Sequence, residues 1–363
     1  MKLRMPLDDP KPDFATFRQV LEGERRADRV HFAELFADKE IVAAVLRDFL
    51  GQTPLPGPEQ DFEGYWRQQI MFWHRMGYDY IRVSGGLAVP NVLHRTADDT
   101  AELSRGARNW VETGRGAIAS WADYEAYPWP KPEQIDFSAY EFVAANLPDG
   151  MQMMVCPSSG VFEIATEYLL GFEGLSLTLY EDPELVQAVF DGVGKMLLDF
   201  YRTACDIPGV AGIFQGDDLG YKTSTFLSPD HLRQLVFPWH AKYAQLAHDR
   251  GQMYWLHSCG NLSRVMEYLI NSVKIDAIHS FQNEIVPVTE FAREYGHRIG
   301  VLGGVDVDCL VRMDEPQLRA YVRGIIDDCM PCRWALGSGN SIANYVPVRN
   351  YLVMMDEGYG TAG

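Results

Sequence analysis

Cysteine, positive charge and long apolar runs are all scarce in this sequence. Six cysteines are scattered over 363 residues, too few for a disulfide scaffold, so we expect free thiols in a reducing compartment. Lys and Arg total 32 against 50 Asp and Glu, which gives a net charge of −18. Such an acidic surface repels phosphodiester backbones and anionic lipids, and we therefore expect no nucleic-acid or membrane partner.

Targeting and nucleotide-binding signals are also missing. No stretch reaches the ~20 apolar residues of a membrane span, and residues 1–14 contain no apolar run of signal-peptide length. We therefore expect a cytoplasmic protein. No GxGxxG follows an early strand and no GxxxxGKS/T occurs, so neither fingerprint supports an open nucleotide-binding sheet.

Short β-rich segments alternate with helical patterns from residue 29 onward, as in repeated βα units. The predicted strands are Arg29–Glu34, Asp79–Val83, Gln152–Cys156, Ala211–Gln215, Met253–His257, Ala277–Phe281, Arg298–Leu302 and Arg333–Leu336. The predicted helices include Gly64–Met76, Pro183–Cys205, Ser228–Asp249, Ser263–Ser272, Pro287–Tyr295 and Glu315–Asp328. Eight parallel strands with intervening helices favour an α/β fold closed into a (β/α)8 TIM barrel.

The chain is longer than a bare barrel requires. Because 363 residues exceed the ~250 of a typical barrel, we predict one domain over residues 1–363 with an N-terminal extension and long loops. Residues 85–150 interrupt the alternation and are rich in Trp, Tyr and Pro. A structureless loop of that length is rare, so we expect helices there, with residues 121–130 forming an aromatic lid or a homodimer contact.

Polar side chains follow several predicted strands, where a barrel builds its active face. They are Cys156, Ser158, Asp217, Asp218, His257, Cys259, Gln282, Glu284, Asp306, Ser338 and Asn340. His257 and Cys259 are two residues apart and are a usable pair of zinc ligands. A third ligand would come from Asp217, Asp218 or Glu284. Alternatively, His257 hydrogen-bonds a substrate carboxylate and Cys259 only packs.

Two pairs of carboxylates lie close to these strand ends. Asp217 and Asp218 could supply a general base, a metal ligand or an anchor for a cationic group, or one of them could simply cap the following segment. Adjacent side chains diverge, so we expect one to point inward and one to be solvated. Glu163 and Glu167 lie one helical turn apart beside Tyr168, either facing the barrel mouth or forming a polar surface.

Several ordered motifs extend over nearly the whole chain. They are Cys-Pro-Ser-Ser-Gly-Val-Phe-Glu at 156–163 with Tyr168, Leu-Ser-Pro at 227–229 with Pro238, His-Ser-Cys-Gly at 257–260, Gly-Gly-Val-Asp at 303–306, and Leu-Gly-Ser-Gly at 336–339 with Asn350. Together they resemble the uroporphyrinogen decarboxylase superfamily. The resemblance implies a (β/α)8 barrel with a deep cleft. True decarboxylases carry an arginine-rich segment where this chain has residues 34–38, an aspartate near Ser84 and a histidine where Ser338 stands. Tyr168 is the one decarboxylase marker that remains.

The methyltransferase branch of that superfamily is the better match. Its His-x-Cys corresponds to His257 and Cys259, and the resemblance implies zinc, which keeps an acceptor thiol as its thiolate, and a corrinoid protein as partner. The third cysteine ligand of that branch corresponds to Ser338. Either Asp217 or Asp218 replaces that ligand, or the metal is gone and Ser338 and Asn340 orient a polar ligand.

Two functions follow as hypotheses. The first is a zinc-dependent methyltransferase component that moves a methyl group between a corrinoid protein and a thiol or other small acceptor, with zinc on His257 and Cys259. The alternative is a metal-free carboxy-lyase acting on a small carboxylic acid. In both, the predicted catalytic residues are Asp217, Asp218 and Tyr168, and the predicted substrate-binding residues are Glu163, Ser338, Asn340 and Gln282.

Overall fold

The fold of the protein was obtained as a computed structural model that describes residues 3–90, 94–99, 101, 103–104, 107–111 and 116–360. The strands are β1 (Tyr80–Ser84), β2 (His94–Asp98), β3 (Ala107–Val111), β4 (Gln152–Cys156), β5 (Val210–Gly216), β6 (Met253–His257), β7 (Ala277–His279), β8 (Gly300–Leu302) and β9 (Trp334–Ala335).

Helices fill most of the intervals between the strands. They are α1 (Phe14–Glu22), α2 (Lys39–Asp48), α3 (Phe62–Arg75), α4 (Trp121–Ala126), α5 (Ser138–Asn146), α6 (Val161–Glu163), α7 (Phe172–Glu181), α8 (Pro183–Ala204), α9 (Pro229–Leu235), α10 (Phe237–His248), α11 (Met266–Tyr268), α12 (Val288–Tyr295), α13 (Val307–Arg312), α14 (Glu315–Cys329) and α15 (Val348–Gly360). Wider π-helical turns continue α6 over Ile164–Leu170 and α11 over Leu269–Val273. No helix among the described residues is both long and apolar enough to cross a membrane.

Seven strands form one parallel sheet in the order β1-β4-β5-β6-β7-β8-β9. This confirms seven of the eight predicted strands, and β4 and β6 have the predicted bounds. The predicted first strand, Arg29–Glu34, makes only an isolated parallel bridge, Phe32 with Leu336, and a second one follows it, Ala37 with Ile342. The fold is therefore a parallel, TIM-barrel-like α/β fold, in which a complete eighth strand and closure stay predictions.

An apolar cluster fills the inner face of this sheet. Side chains alternate along a strand, and the inward-facing set includes Tyr80, Met154, Phe214 and Trp255. The Trp255 ring lies 5.2 Å from Tyr80 and 5.5 Å from Phe214. Helix α1 adds Phe17, whose ring is 5.7 Å from Trp255, to the same cluster. The interior is thus filled with side chains, and in a barrel the carboxyl ends of the strands form the active face.

The outer face packs against the helices, and one helix departs from the prediction. Residues 228–249 form two helices, α9 and α10, which are separated at Val236. The physical reason is Pro238, which has no N–H to continue the backbone ladder and whose ring crowds the preceding turn.

Residues 85–150 contain the predicted helices α4 and α5. They also contain an antiparallel pair, β2 with β3, that the sequence did not predict. The aromatic segment packs on its own chain: Trp129 lies 4.7 Å from Tyr127, and Trp121 Nε1 donates to Asp182 Oδ2 at 2.9 Å. The lid and the homodimer contact stay predictions.

The inner cluster yields a stability prediction. We expect Phe17→Ala to lower the free energy of unfolding by about 3–5 kcal/mol, because it opens a cavity beside Trp255 and Tyr80. Leu177 is 55% exposed, and Leu177→Ala, the control, is expected to change stability by no more than about 0.5 kcal/mol. Denaturant unfolding of both variants measures the difference, and equal effects would contradict a packed interior.

Candidate functional site

Three potential metal ligands meet where β5 and β6 end. His257 Nε2 lies 3.4 Å from Asp218 Oδ1 and 3.5 Å from Cys259 Sγ. All three ligand atoms lie within 4.8 Å of one another. The Cys259 amide also donates to Asp218 Oδ1 at 2.8 Å, which ties the two loops together. Trp255 faces the apolar interior, and by the alternation of the strand His257 faces the same way one step nearer the mouth.

These spacings fit a tetrahedral zinc ion. Bonds of about 2.0–2.3 Å at tetrahedral angles place a nitrogen about 3.3 Å from an oxygen ligand and about 3.6 Å from a sulfur ligand. The measured 3.4 and 3.5 Å match both distances. Three protein ligands leave one position open for substrate, which is the pattern of catalytic rather than structural zinc.

A hydrogen-bond chain fixes the tautomer of His257. His279 Nε2 lies 3.3 Å from the Ser338 carbonyl oxygen, which can only accept. Burial keeps the pKa of His279 well below its usual range, so the ring is neutral and its Nδ1 is an acceptor. His257 Nδ1, at 2.7 Å, therefore donates to it. Because Nδ1 of His257 is engaged with His279, Nε2 is the ring nitrogen that faces Asp218 and Cys259 and could bind a metal ion.

The sulfur of Cys259 has two hydrogen-bond donors of its own. Asn340 Nδ2 lies 3.2 Å away and Ser280 Oγ 3.6 Å away. Ser280 has a backbone φ of 100°, a left-handed conformation that is costly for any residue except glycine. Burial, and then the charge of Asp218, raises the pKa of Cys259 to about 12. Without a cation the thiol is therefore neutral and a poor nucleophile.

The two aspartates diverge, as predicted. Burial alone would raise the pKa of Asp218, but hydrogen bonding and the charge of His257 lower it overall, so the carboxylate is ionised. The Asp217 carboxylate is fully buried and accepts from the amides of Phe162 and Glu163 at 3.1 and 2.9 Å and from His240 Nε2 at 2.8 Å. Asp217 thus caps helix α6, which follows the neighbouring strand β4, rather than the segment that follows Asp217 itself.

The other predicted residues surround the three ligands at different depths. Glu163 lines the cleft, and burial, with the charges of Asp218 and Asp217, raises its pKa well above the usual range. Tyr168 lies behind the wall, with its hydroxyl 3.3 Å from Ser159 Oγ. Ser338 is fully buried under the site and donates to Glu34 from both its amide and its hydroxyl at 2.6 Å.

Gln282 and Glu284 lie outside the cleft. They line an open groove of about 540 Å³ on the far side of Cys259, where Glu284 forms an ion pair with Lys222. Asp306 borders the same groove and caps α13 through the amides of Asp308 and Cys309. Glu284 is thus placed apart from the three converging ligands.

The cleft over the three ligands has a volume of about 520 Å³. Its walls are Leu35, Phe36, Arg82, Ser84, Ser158, Ser159, Glu163, Gly216, Asp218, His257, Cys259 and Asn340. Sequence reasoning missed Arg82, His279, Ser280 and Glu34 as parts of this region. The available signal was a charged or imidazole side chain within an apolar strand, as at Arg82 and His279.

This parallel α/β fold, with polar groups gathered at the carboxyl ends of its strands, is that of the TIM-barrel-like proteins. The uroporphyrinogen decarboxylase (URO-D) family model matches residues 115–359, and the chain belongs to that family. The predicted family is thereby confirmed. No curated protein matches the sequence.

Two solved structures are similar to this chain at low sequence identity. A methyltransferase from Methanosarcina mazei superposes with a TM-score of 0.70 at 14% identity, covering 97% of this chain and 100% of its own. A B12-independent methionine synthase from Shewanella sp. W3-18-1 reaches a TM-score of 0.47 at 10% identity, covering 85% of this chain and 89% of its own. At 14% identity, the likeness to the Methanosarcina mazei protein shows the fold alone.

Glu34 generates a pH prediction. Burial raises its pKa to about 8 from a usual value of 4.5, although the Ser338 donors oppose the shift. The folded protein therefore favours the protonated carboxyl, and this contribution to stability is complete below pH 4.5 and lost as the pH rises through about 8. Glu34→Gln keeps the acceptor for the Ser338 amide and does not titrate.

Unfolding free energies at pH 5 and pH 8.5 test this expectation. The free energy of unfolding of Glu34→Gln, taken relative to that of the wild type, should rise by on the order of a few kcal/mol from pH 5 to pH 8.5. A difference that is independent of pH would show that Glu34 is ionised in the folded protein throughout.

Proposed function

We propose that this protein is a zinc-dependent methyltransferase component that transfers a methyl group between a corrinoid protein and the thiol of a small molecule. The observation that supports the proposal is the convergence of Asp218, His257 and Cys259, with ligand atoms at tetrahedral spacing and one position left open. Asp218 takes the place of the ligand that a second cysteine provides in the methyltransferase branch.

A zinc ion held by these residues would supply a Lewis acid that keeps an acceptor thiol deprotonated at neutral pH. The protein's own groups prepare that position. His279 holds the tautomer of His257, and Asn340 and Ser280 donate to the Cys259 sulfur. A methylated corrinoid on the partner protein would supply the methyl group to the acceptor sulfur, its cobalt would keep the electron pair of the cobalt–carbon bond, and the thiol proton would pass to solvent.

The dimensions of the cleft support a protein-bound corrinoid. A volume of about 520 Å³ suits a small molecule, whereas a corrinoid is much larger and would stay on its partner protein with its methyl group at the mouth. Asp218 acts in this scheme as a metal ligand and Asp217 as a positioning residue that holds α6. Tyr168, whose pKa is raised by burial, remains a neutral hydrogen-bond donor behind Ser159.

The metal site leads to the first test. We expect about one zinc per chain in the purified wild type, and less than a tenth of that in Cys259→Ala and Asp218→Ala, because each variant removes one of three ligands. Cys332→Ala is the matched control, since Cys332 belongs to the CxxC formed with Cys329 and does not line the cleft. Elemental analysis of the four proteins, each checked for folding by circular dichroism, gives the result.

If Cys259→Ala retained zinc and Cys332→Ala lost it, the result would show that the metal binds at the CxxC and not at Cys259. A folded wild type without metal, even after growth with added zinc, would contradict the metal site and favour the carboxy-lyase.

Methyl transfer itself is the second test. Mixed with methylcobalamin and a small thiol, the wild type should consume methylcobalamin, as followed by absorbance, and form the thioether, as followed by mass spectrometry. Cys259→Ala is expected to be slower by at least about 100-fold, the scale of losing an electrostatic group at a reacting centre, while Cys332→Ala keeps the wild-type rate. Zinc binding without transfer to any thiol would leave the metal site intact and refute the reaction.

A further inference from the structure

Arg82 is a charged residue in the wall of an otherwise apolar interior. It lies on β1 between Tyr80, which belongs to the inner apolar cluster, and Ser84. Residues two apart face the same side of a strand, so Arg82 points inward, one layer above Tyr80. Its side chain is partly buried and lines the cleft above the metal ligands. Keeping a guanidinium there costs desolvation energy unless it is paired.

The guanidinium is anchored but not neutralised. Its Nε donates to the Phe214 carbonyl oxygen at 2.9 Å, and its Cζ atom lies 5.7 Å from the centroid of the Phe214 ring. In the described part of the chain, no carboxylate lies within 4.0 Å of it. By contrast, Arg29 and Arg319, also partly buried, each contact a buried aspartate at 2.6 and 2.9 Å. Among the described residues, neither terminal nitrogen of Arg82 has a hydrogen-bond partner, and the side chain lines the cleft.

The nearby carboxylates have other partners. Asp218 faces His257 and accepts from the Cys259 amide, and Asp217 is enclosed by three donors. The cleft is also lined by Glu163, by Asn340 and by the hydroxyls of Ser84, Ser158 and Ser159, and these hydroxyls can donate to an anion. In a chain with a net charge of −18, an anionic substrate needs such a local cation to enter.

We propose that Arg82 binds the carboxylate of the small substrate, through its two terminal nitrogens and with help from the serine hydroxyls. The planar fork of a guanidinium matches a carboxylate, and the Phe214 carbonyl holds Nε so that the fork faces the cleft. This assignment rests on the proposed function, for which it names the acceptor class: a short thiol that also carries a carboxylate, with its sulfur toward Cys259 and its carboxylate toward β1.

Binding measurements test the assignment independently of methyl transfer. Isothermal titration compares 3-mercaptopropionate with its uncharged amide, and propionate with propionamide, on the wild-type protein as isolated. We expect the acids to bind about 10- to 100-fold more tightly than the amides, the range of a charge-assisted pair. Arg82→Gln should remove this preference while leaving amide binding unchanged. Arg312→Gln, at an exposed arginine paired with Asp308 beside the neighbouring groove, is the control and should keep the preference.

Each outcome decides between specific alternatives. Equal binding of acid and amide by the wild type, or the same preference in Arg82→Gln, would overturn the assignment. Loss of acid and amide binding together would show that Arg82 only supports Phe214. If Arg82→Gln does not fold, Arg82→Lys, which keeps the charge without the fork, should lose part of the preference, and an unchanged preference there would also refute the bidentate contact. The propionate pair needs no thiol and no metal, so its preference can survive even when the zinc and transfer tests fail.

Discussion

The alternation of side chains along parallel strands is the constraint on which this structure depends. Tyr80 and Trp255 fill the interior, and the next inward positions on the same strands are Arg82 and His257. The inward-facing side chains of β1 and β6 therefore belong to the apolar core earlier in the strand and are polar toward its carboxyl end. A shift by one residue in either strand would turn these side chains to the outer layer, so packing of the core also aligns the site.

A buried polar network supports the ligands from below. It runs from His257 through His279 to the Ser338 carbonyl, and the amide and hydroxyl of Ser338 continue it to Glu34. It thereby connects β6 and β7 with the segment after β9 and with the segment before α2. Buried networks of this kind strengthen each bond through the low local dielectric, provided that their members are satisfied. Ser338, at the position of a ligand in the methyltransferase branch, belongs to this support rather than to the cleft surface.

The sequence predicted the fold better than the site. Hydrophobic runs bounded by turn residues located β4 and β6 to the residue, because fully buried strands carry a strong local signal. The segment near Phe32 has a similar composition but forms only isolated bridges, since pairing depends on neighbours that are distant in the sequence. The break at Val236 was readable from Pro238, whereas the β2–β3 pair carried no comparable signal.

The pair of His257 and Cys259 was recognisable because both ligands lie in one motif. The choice between Asp217 and Asp218 was not, since it depends on which carboxylate the amides of α6 engage. Arg82 and His279 were missed for a related reason. A polar residue in an apolar strand is visible in the sequence, but the group that it faces belongs to another strand.

The conformation of Ser280 shows how stability and site geometry compete. A glycine would adopt its φ of 100° at lower cost, and a residue with a side chain gives up about 1–2 kcal/mol to remain there. Glycine, however, has no hydroxyl to donate to the Cys259 sulfur, which lies 3.6 Å from Ser280 Oγ. A glycine at position 280 would therefore make the fold more stable to heat but would remove a hydrogen-bond donor from the Cys259 sulfur. Selection for thermal stability alone would thus favour loss of this donor.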